Sequence, residues 1–324
     1  MQRPNRVGFG ILAAFVFFAA CGVQGCRGPQ VRDGLDAPRT ALRAQRTGHL
    51  AHTDLVEASG MVHSRREDGL LWLINDGGHP PALYAVATNG GDRGRVIVDG
   101  ARNTDWEDLA AFDLNGRNFL VIADVGDNRA VRKTRRIYVV EEPRRDNAGV
   151  FPEAVGVAWQ FAFRYADGPR DCEGVAVAPR AGQILLITKR TQPPQLYALS
   201  LEPPEEGRLQ TARRVGAVPR IPPPTVQDRR GRPRLGGFLS QPTAMDIRAD
   251  NRLAVVLTYK DAYLFPRATG TTWAAALANK PVAVALPDLK QKEAVCFDRR
   301  GRTVYITTEQ RPAPLLGVSL PPGF

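Results

Sequence analysis

The chain has 324 residues, of which 43% are hydrophobic, enough to bury a sizeable core, and it carries a formal net charge of +11. Aromatic residues make up only 7%, while 31 glycines and 26 prolines favour many short strands and turns over long helices. The basic excess is almost all arginine; such a surface attracts nucleotides, polyanions or anionic headgroups, but no nucleic-acid module, P-loop, nucleophile elbow or dinucleotide fingerprint accompanies it, so it reads first as a solvated face.

At the start, Arg3 and Arg6 precede an apolar run from Val7 to Ala20, too short to span a bilayer and suited to the h-region of an export signal. The run ends in "FFAAC", which resembles a bacterial lipobox and makes Cys21 the expected site of acylation. Phe18 is irregular for the first lipobox position, so ordinary signal cleavage with a free Cys21 is the alternative. Residues 1–21 are thus expected to be a lipoprotein signal peptide, 22–46 a flexible tether and 47–324 the folded domain. This places the protein in the bacterial cell envelope, held to the membrane by its N-terminal lipid on the extracytoplasmic side, and as a monomer. Cys26, Cys172 and Cys296 remain; an odd number, with Cys172 and Cys296 in apolar strands, predicts buried free thiols.

Five similar strand openings follow: "EASGMVHS" (57–64), "DWEDLAAF" (105–112), "DCEGVAVA" (171–178), "QPTAMDIR" (241–248) and "QKEAVCFD" (291–298). After each comes a turn and a second apolar strand, such as "LLWLIND" (70–76) or "ILLITKR" (184–190), and then a third and fourth. Four short strands per unit at this period predict an all-β fold, a β-propeller of five four-stranded blades. The last unit has only three strands, so "GHLAHTDLV" (48–56) is expected to supply the missing outer one and close the ring. The long basic, Pro-rich stretch 219–237 is expected to be an insertion; a sixth blade hidden there is the architectural alternative.

The first strand of a blade lies innermost, so the aligned polar residues Ser59, Glu107, Glu173, Thr243 and Glu293 are expected at one mouth of the central tunnel. Three converging carboxylates must either raise their pKa values or share a cation. Oxygen donors without imidazole or thiolate point to a hard cation, and a roomy ring suits Ca²⁺ better than Mg²⁺. The alternative is that these residues cap strands around an empty channel.

At these residues the chain resembles the calcium-dependent apyrases, five-bladed propellers whose axial Ca²⁺ sits in a serine, glutamate, glutamate, serine, glutamate ring. The resemblance is a pattern of blade starts over roughly 47–324. The wording N-D-x-G, D-W-E-D-[IL]-A and G-D-N is also similar to a group of uncharacterised secreted bacterial propellers. The apyrase likeness implies nucleotide hydrolysis, with Asp76 and Arg190 at matching positions. The arginine of the family's first loop is absent, and Gly77-Gly78-His79 stands there.

Sixteen to seventeen positions after each ring residue lies a second set: Asn75 and Asp76, Asp124, Lys189 and Arg190, Lys260, and Glu309 and Gln310. In an enzyme, the three cations would hold phosphate oxygens, and Asp76 and Asp124 would orient water. The stretch "ADVGDNRAVRKTRR" (123–136) reads either as an anion-binding lip or as an Asx turn before a solvated edge. His79 is a lone loop histidine beside Asp76, and His49, His52 and His63 have no zinc-like spacing. Two function classes follow. One is a non-catalytic, Ca²⁺-stabilised propeller presenting its loop face to a phosphorylated small molecule, a glycan or a protein. The other is a Ca²⁺-dependent hydrolase of phosphate esters or nucleotides.

Overall fold

The computed structural model describes residues 42–205 and 208–324; the export signal, Cys21, Cys26 and most of the expected tether lie outside them. The regular structure of the described chain is almost entirely strand, with two short α-helices. It opens with β1 (Ala44–His49). Unit one holds β2 (Ala58–His63), β3 (Leu70–Asn75), β4 (Ala82–Ala87) and β5 (Asp92–Asp99). Unit two holds β6 (Trp106–Leu114), β7 (Arg117–Asp124), β8 (Arg135–Glu141) and β9 (Ala154–Tyr165). Unit three holds β10 (Cys172–Ala178), β11 (Gln183–Thr188), β12 (Gln195–Ser200) and β13 (Gln210–Ala217), followed by the short helix α1 (Val226–Gly231). Unit four holds β14 (Pro242–Ile247), β15 (Leu253–Thr258) and β16 (Ala262–Pro266), then helix α2 (Trp273–Leu277) and β17 (Val282–Val284). Unit five holds β18 (Lys292–Phe297), β19 (Thr303–Thr308) and β20 (Pro314–Ser319), with β1 as its fourth strand.

Each unit is an antiparallel meander, and the long β9 also pairs in parallel with β5 and β13, joining the outer edges of units one to three. The fold is a β-propeller. Its inner strands β2, β10, β14 and β18 are buried along their whole length, and each packs on the next unit's inner strand, with β18 returning to β2. Five apolar layers fill the gaps between neighbouring units. Trp72 and Ile74 meet Leu120 and Ile122 between units one and two, while Met61 and Leu73 meet Cys296 and Leu315 between units one and five. Cys172 and Cys296 are buried in these layers and unbonded.

The closing strand is Ala44–His49, not 48–56, and it lies partly in the stretch expected to be tether. It runs antiparallel to β20, from Ala44 opposite Val318 to His49 opposite Pro314. "AQRTGH" has no apolar alternation because an outermost strand buries little; residues 50–56, which looked more strand-like, cross to unit one, where Leu50 and Leu55 are buried. The 219–237 insertion contains α1 and no strand.

Inner strands crowd towards the axis, and this explains the small residue after four of the five aligned polar ones, Gly60, Gly174, Ala244 and Ala294. A Cβ on Gly60 would meet Leu109 N at 2.6 Å, and one on Gly174 would meet Ala244 C at 2.9 Å. Every inner strand also changes register at that point. The shifts fall between Ala58 and Met61, Trp106 and Asp108, Cys172 and Gly174, Pro242 and Ala244, and Lys292 and Ala294. The aligned Ser59, Glu107, Glu173, Thr243 and Glu293 are therefore the bulged residues, and a bulge re-aims the side chain it carries.

Candidate functional site

All five bulged side chains are buried at the strand-entrance end of the inner strands. The two hydroxyls pin neighbouring units: Ser59 Oγ donates to Trp106 O at 2.9 Å and Thr243 Oγ1 to Lys292 O at 2.7 Å. Each accepting carbonyl belongs to the residue before the next unit's glutamate. The three glutamates form a coupled set around one amine. Lys189 Nζ lies 2.8 Å from Glu173 Oε1, faces the Glu293 carboxylate, and sits 5.2 Å from the centre of the Tyr259 ring. Burial opposes the Lys189 charge, yet the Glu173 and Glu293 carboxylates raise its pKa above the usual lysine value.

Glu107 has no ion pair among the described residues, and the Lys189 charge offsets its burial only in part. Its carboxyl bonds that of Glu173, and burial, the Glu173 charge and the Asp76 charge together hold its pKa well above the carboxylate range. Carboxyl oxygens of Asp76, Asp105 and Glu107 lie within 4.8 Å of one another. Burial, then the charge of Asp76, pushes Asp105 up to about 6, and burial raises Asp76 as well. Glu309 stands beside them, pushed to about 7 by burial and by Asp76 and Glu57. Glu173 is likewise raised to about 7, chiefly by burial. Two loops close tightly over this cluster. A Cβ on Gly126 would collide with Glu107 Oε1 and the Asp105 carboxylate, and one on Gly77 would meet Asp105 Oδ1 at 2.8 Å. The glycines of "NDGG" and "VGDN" let backbone approach the carboxyl groups, leaving a cradle lined only by oxygen donors. Such a donor set fits a hard divalent cation.

The second set of residues is arranged differently from what an anion site needs. Lys189 pairs with Glu173; Arg190 Nε meets Asp171 Oδ2 at 2.6 Å and also bonds Asn128; Lys260 Nζ meets Asp228 Oδ2 at 2.8 Å. Asp124 is buried and bound by Arg132 at 2.6 Å. The "GDN" turn works in the same way: Asp127 N donates to Asp171 Oδ1, and Asp127 is paired with the buried Arg135. Of this set Asp76 joins the carboxyl cluster and Glu309 stands beside it. His79 Nε2 lies 2.8 Å from Glu57 Oε2 at the rim.

Asp108, the third carboxylate of "DWED", has a structural task. Fully buried, its Oδ2 accepts from Val175 N at 2.7 Å and Met245 N at 3.1 Å, so one side chain ties unit two to units three and four. Asp246 repeats the device towards Phe297 N at 2.8 Å. Beside the mouth, the 219–237 insertion helps form a cavity of about 360 Å³, lined by Lys189, Arg190, Phe238, Leu239 and Tyr259 among others. Asp105 and Tyr259 are site residues that the sequence pattern does not single out. Asp105 was signalled by its place two residues before Glu107, on the same strand entrance.

No family model matches the chain, and no curated protein does. Among solved structures it is similar to luciferin-regenerating enzyme, with 10% identity over 86% of this chain and 96% of that one and a TM-score of 0.44. It is also similar to the WD40 repeats of RRP9, at 8% identity, 87% and 98% coverage and a TM-score of 0.43. A third likeness is to the nidogen/laminin complex, at 13% identity, 78% and 72% coverage and a TM-score of 0.40.

Proposed function

We propose that the protein is a binding propeller whose carboxylate mouth holds a Ca²⁺ ion, with Asp76, Asp105 and Glu107 as its principal ligands and the remaining bulged residues around it. The observation that carries this reading is the approach of three carboxyl groups to within 4.8 Å with no lysine or arginine ion-paired to any of them among the described residues, the nearby Lys189 and Arg132 being paired with Glu173 and Asp124. Bound Ca²⁺ would supply a hard positive centre able to take further oxygen ligands from a docked molecule. Residues of the chain itself would do the rest. Burial raises the pKa of Glu107, Asp105 and Asp76, a cost that a bound cation would offset, and Gly77 and Gly126 keep the cradle narrow. The cavity beside the mouth, with Tyr259 and Phe238 as apolar contacts and Arg190 as a polar one, would seat an oxygen-rich ligand such as a glycan or a carboxylate-bearing peptide.

Phosphoryl transfer is the weaker reading because Lys189, Arg190 and Lys260 are each neutralised by a carboxylate. Export, acylation of Cys21 and an envelope location belong to the same proposal and rest on the "FFAAC" sequence.

Calorimetric titration of metal-stripped protein tests the site. One Ca²⁺ per chain, bound more tightly than Mg²⁺ and lost in Asp105→Asn and Glu107→Gln but not in Lys260→Ala, is the expected result. Absence of binding would remove the cation site. Ca²⁺-dependent phosphate release from nucleotides that Glu107→Gln abolishes would establish the hydrolase instead.

A further inference from the structure

The opposite end of the propeller carries a different charge pattern. Turns 64–69, 142–153 and 298–302 and the segment 320–324 all lie at the strand ends remote from the carboxylate mouth. Two cavities open there, of about 700 and 550 Å³, and Arg299 lines both. Their walls contain eight arginines against two carboxylates, Glu67 and Asp250. Arg66, Arg145 and Arg248 pair with Glu141, Glu67 and Asp250, and the others are less fully neutralised. Among the described residues, no carboxylate pairs with Arg144 or Arg302, both exposed, and Arg299 and Arg300 share the single Asp68 at 3.5 and 3.6 Å. The mouth shows the reverse, with Lys189, Arg190, Lys260, Arg132 and Arg135 each held by a carboxylate.

The exposed guanidinium groups, those of Arg144, Arg299, Arg300 and Arg302, are spread over two turns, an arrangement suited to many phosphates on a surface rather than to one enclosed phosphate. Exposed aromatic rings for stacking on bases are absent from this face: the exposed aromatic among the described residues is Phe238, at the other end. The chain also enters the domain here, since Ala44 pairs with Val318 at the far end of β20, and Leu42 and Ala44 pack beside Leu320 and Phe324. We propose that this arginine face docks the protein against an anionic phospholipid surface, with the carboxylate mouth turned away from it. The proposal does not depend on acylation of Cys21, nor on Ca²⁺ at the mouth.

Co-sedimentation of the full chain with phosphatidylcholine vesicles, with and without phosphatidylglycerol, tests it. Each basic side chain near an anionic surface strengthens partition about fivefold, so the triple variant Arg144→Glu/Arg300→Glu/Arg302→Glu should lose on the order of 100-fold of the phosphatidylglycerol-dependent partition. Partition into phosphatidylcholine alone should be unchanged. A control with Arg213→Glu, Arg214→Glu and Arg230→Glu should keep the wild-type preference, and if the first triple melts lower than wild type, the corresponding glutamine triple replaces it. The proposal fails if the face variant retains the preference, if wild type shows none, or if wild type binds duplex DNA or polyphosphate while ignoring the vesicles.

Discussion

At the carboxylate mouth every lysine and arginine that sequence patterning singles out is locked to an acidic partner, whereas at the far face Arg144 and Arg302 are exposed with none among the described residues and Arg299 and Arg300 share one. Burial accounts for the difference. A charge held between inner strands must be matched or neutralised, because its desolvation is not otherwise offset, while a guanidinium on an exposed turn keeps its water and tolerates like neighbours. The +11 of the whole chain therefore says little about its tunnel, where carboxyl groups are in excess.

The largest expected effect breaks the mouth. Lys189→Met leaves Glu173 and Glu293 buried without their cation and should cost about 3–5 kcal/mol in urea unfolding, with part recovered by adding Glu173→Gln. Arg302→Met at the far face should stay within about 0.5 kcal/mol. Equal effects would mean that the two ends are not electrostatically distinct. Next in size, Asp108→Ala orphans the N–H groups of Val175 and Met245 at the axis. It should cost about 2–3 kcal/mol, against almost nothing for the exposed Asp113→Ala.

A smaller effect is the pH dependence of chelator-treated protein. Glu173 and Glu309 titrate near 7 in the folded state against an ordinary value of 4.5, and Asp105 near 6 against 3.8. Carboxyls that bind protons more tightly when folded favour the fold at low pH, and that contribution is lost as pH rises through about 6 to 7. Metal-free protein should therefore melt higher at pH 5 than at pH 8. Glu309→Gln should flatten this slope, whereas Glu141→Gln at the far end should not. A wild-type melting temperature that climbs with pH over this range would show that these carboxyls are ionised without help.

The propeller was legible because each inner strand repeats a polar residue, a small or acidic one and an apolar run, a pattern imposed by the bulge and by crowding at the axis. Second strands were placed within a residue or two for the same reason; "LLWLIND" covers β3 and "ILLITKR" covers β11. The closing strand was missed because its outermost position demands no apolar alternation. In the site, spacing found the glutamates but could not foresee that Lys189 folds back onto Glu173 of the neighbouring strand, since the bulge that aims Glu173 has no motif of its own. Nor could it separate Asp105, which joins the cluster, from Asp108, which bonds backbone; three carboxylates in four residues look alike until the bulge sends them in different directions.

The central claim is that the mouth carboxylates hold Ca²⁺, and thermal unfolding of metal-stripped protein with and without Ca²⁺ tests it most directly. An ion that binds only the folded chain stabilises it by about 3 kcal/mol at a hundredfold excess over its dissociation constant, several degrees for a domain of this size. The account predicts that rise for wild type and for Glu141→Gln, and its loss in Glu107→Gln. A melting curve indifferent to Ca²⁺, or one that Glu107→Gln leaves fully responsive, would contradict it.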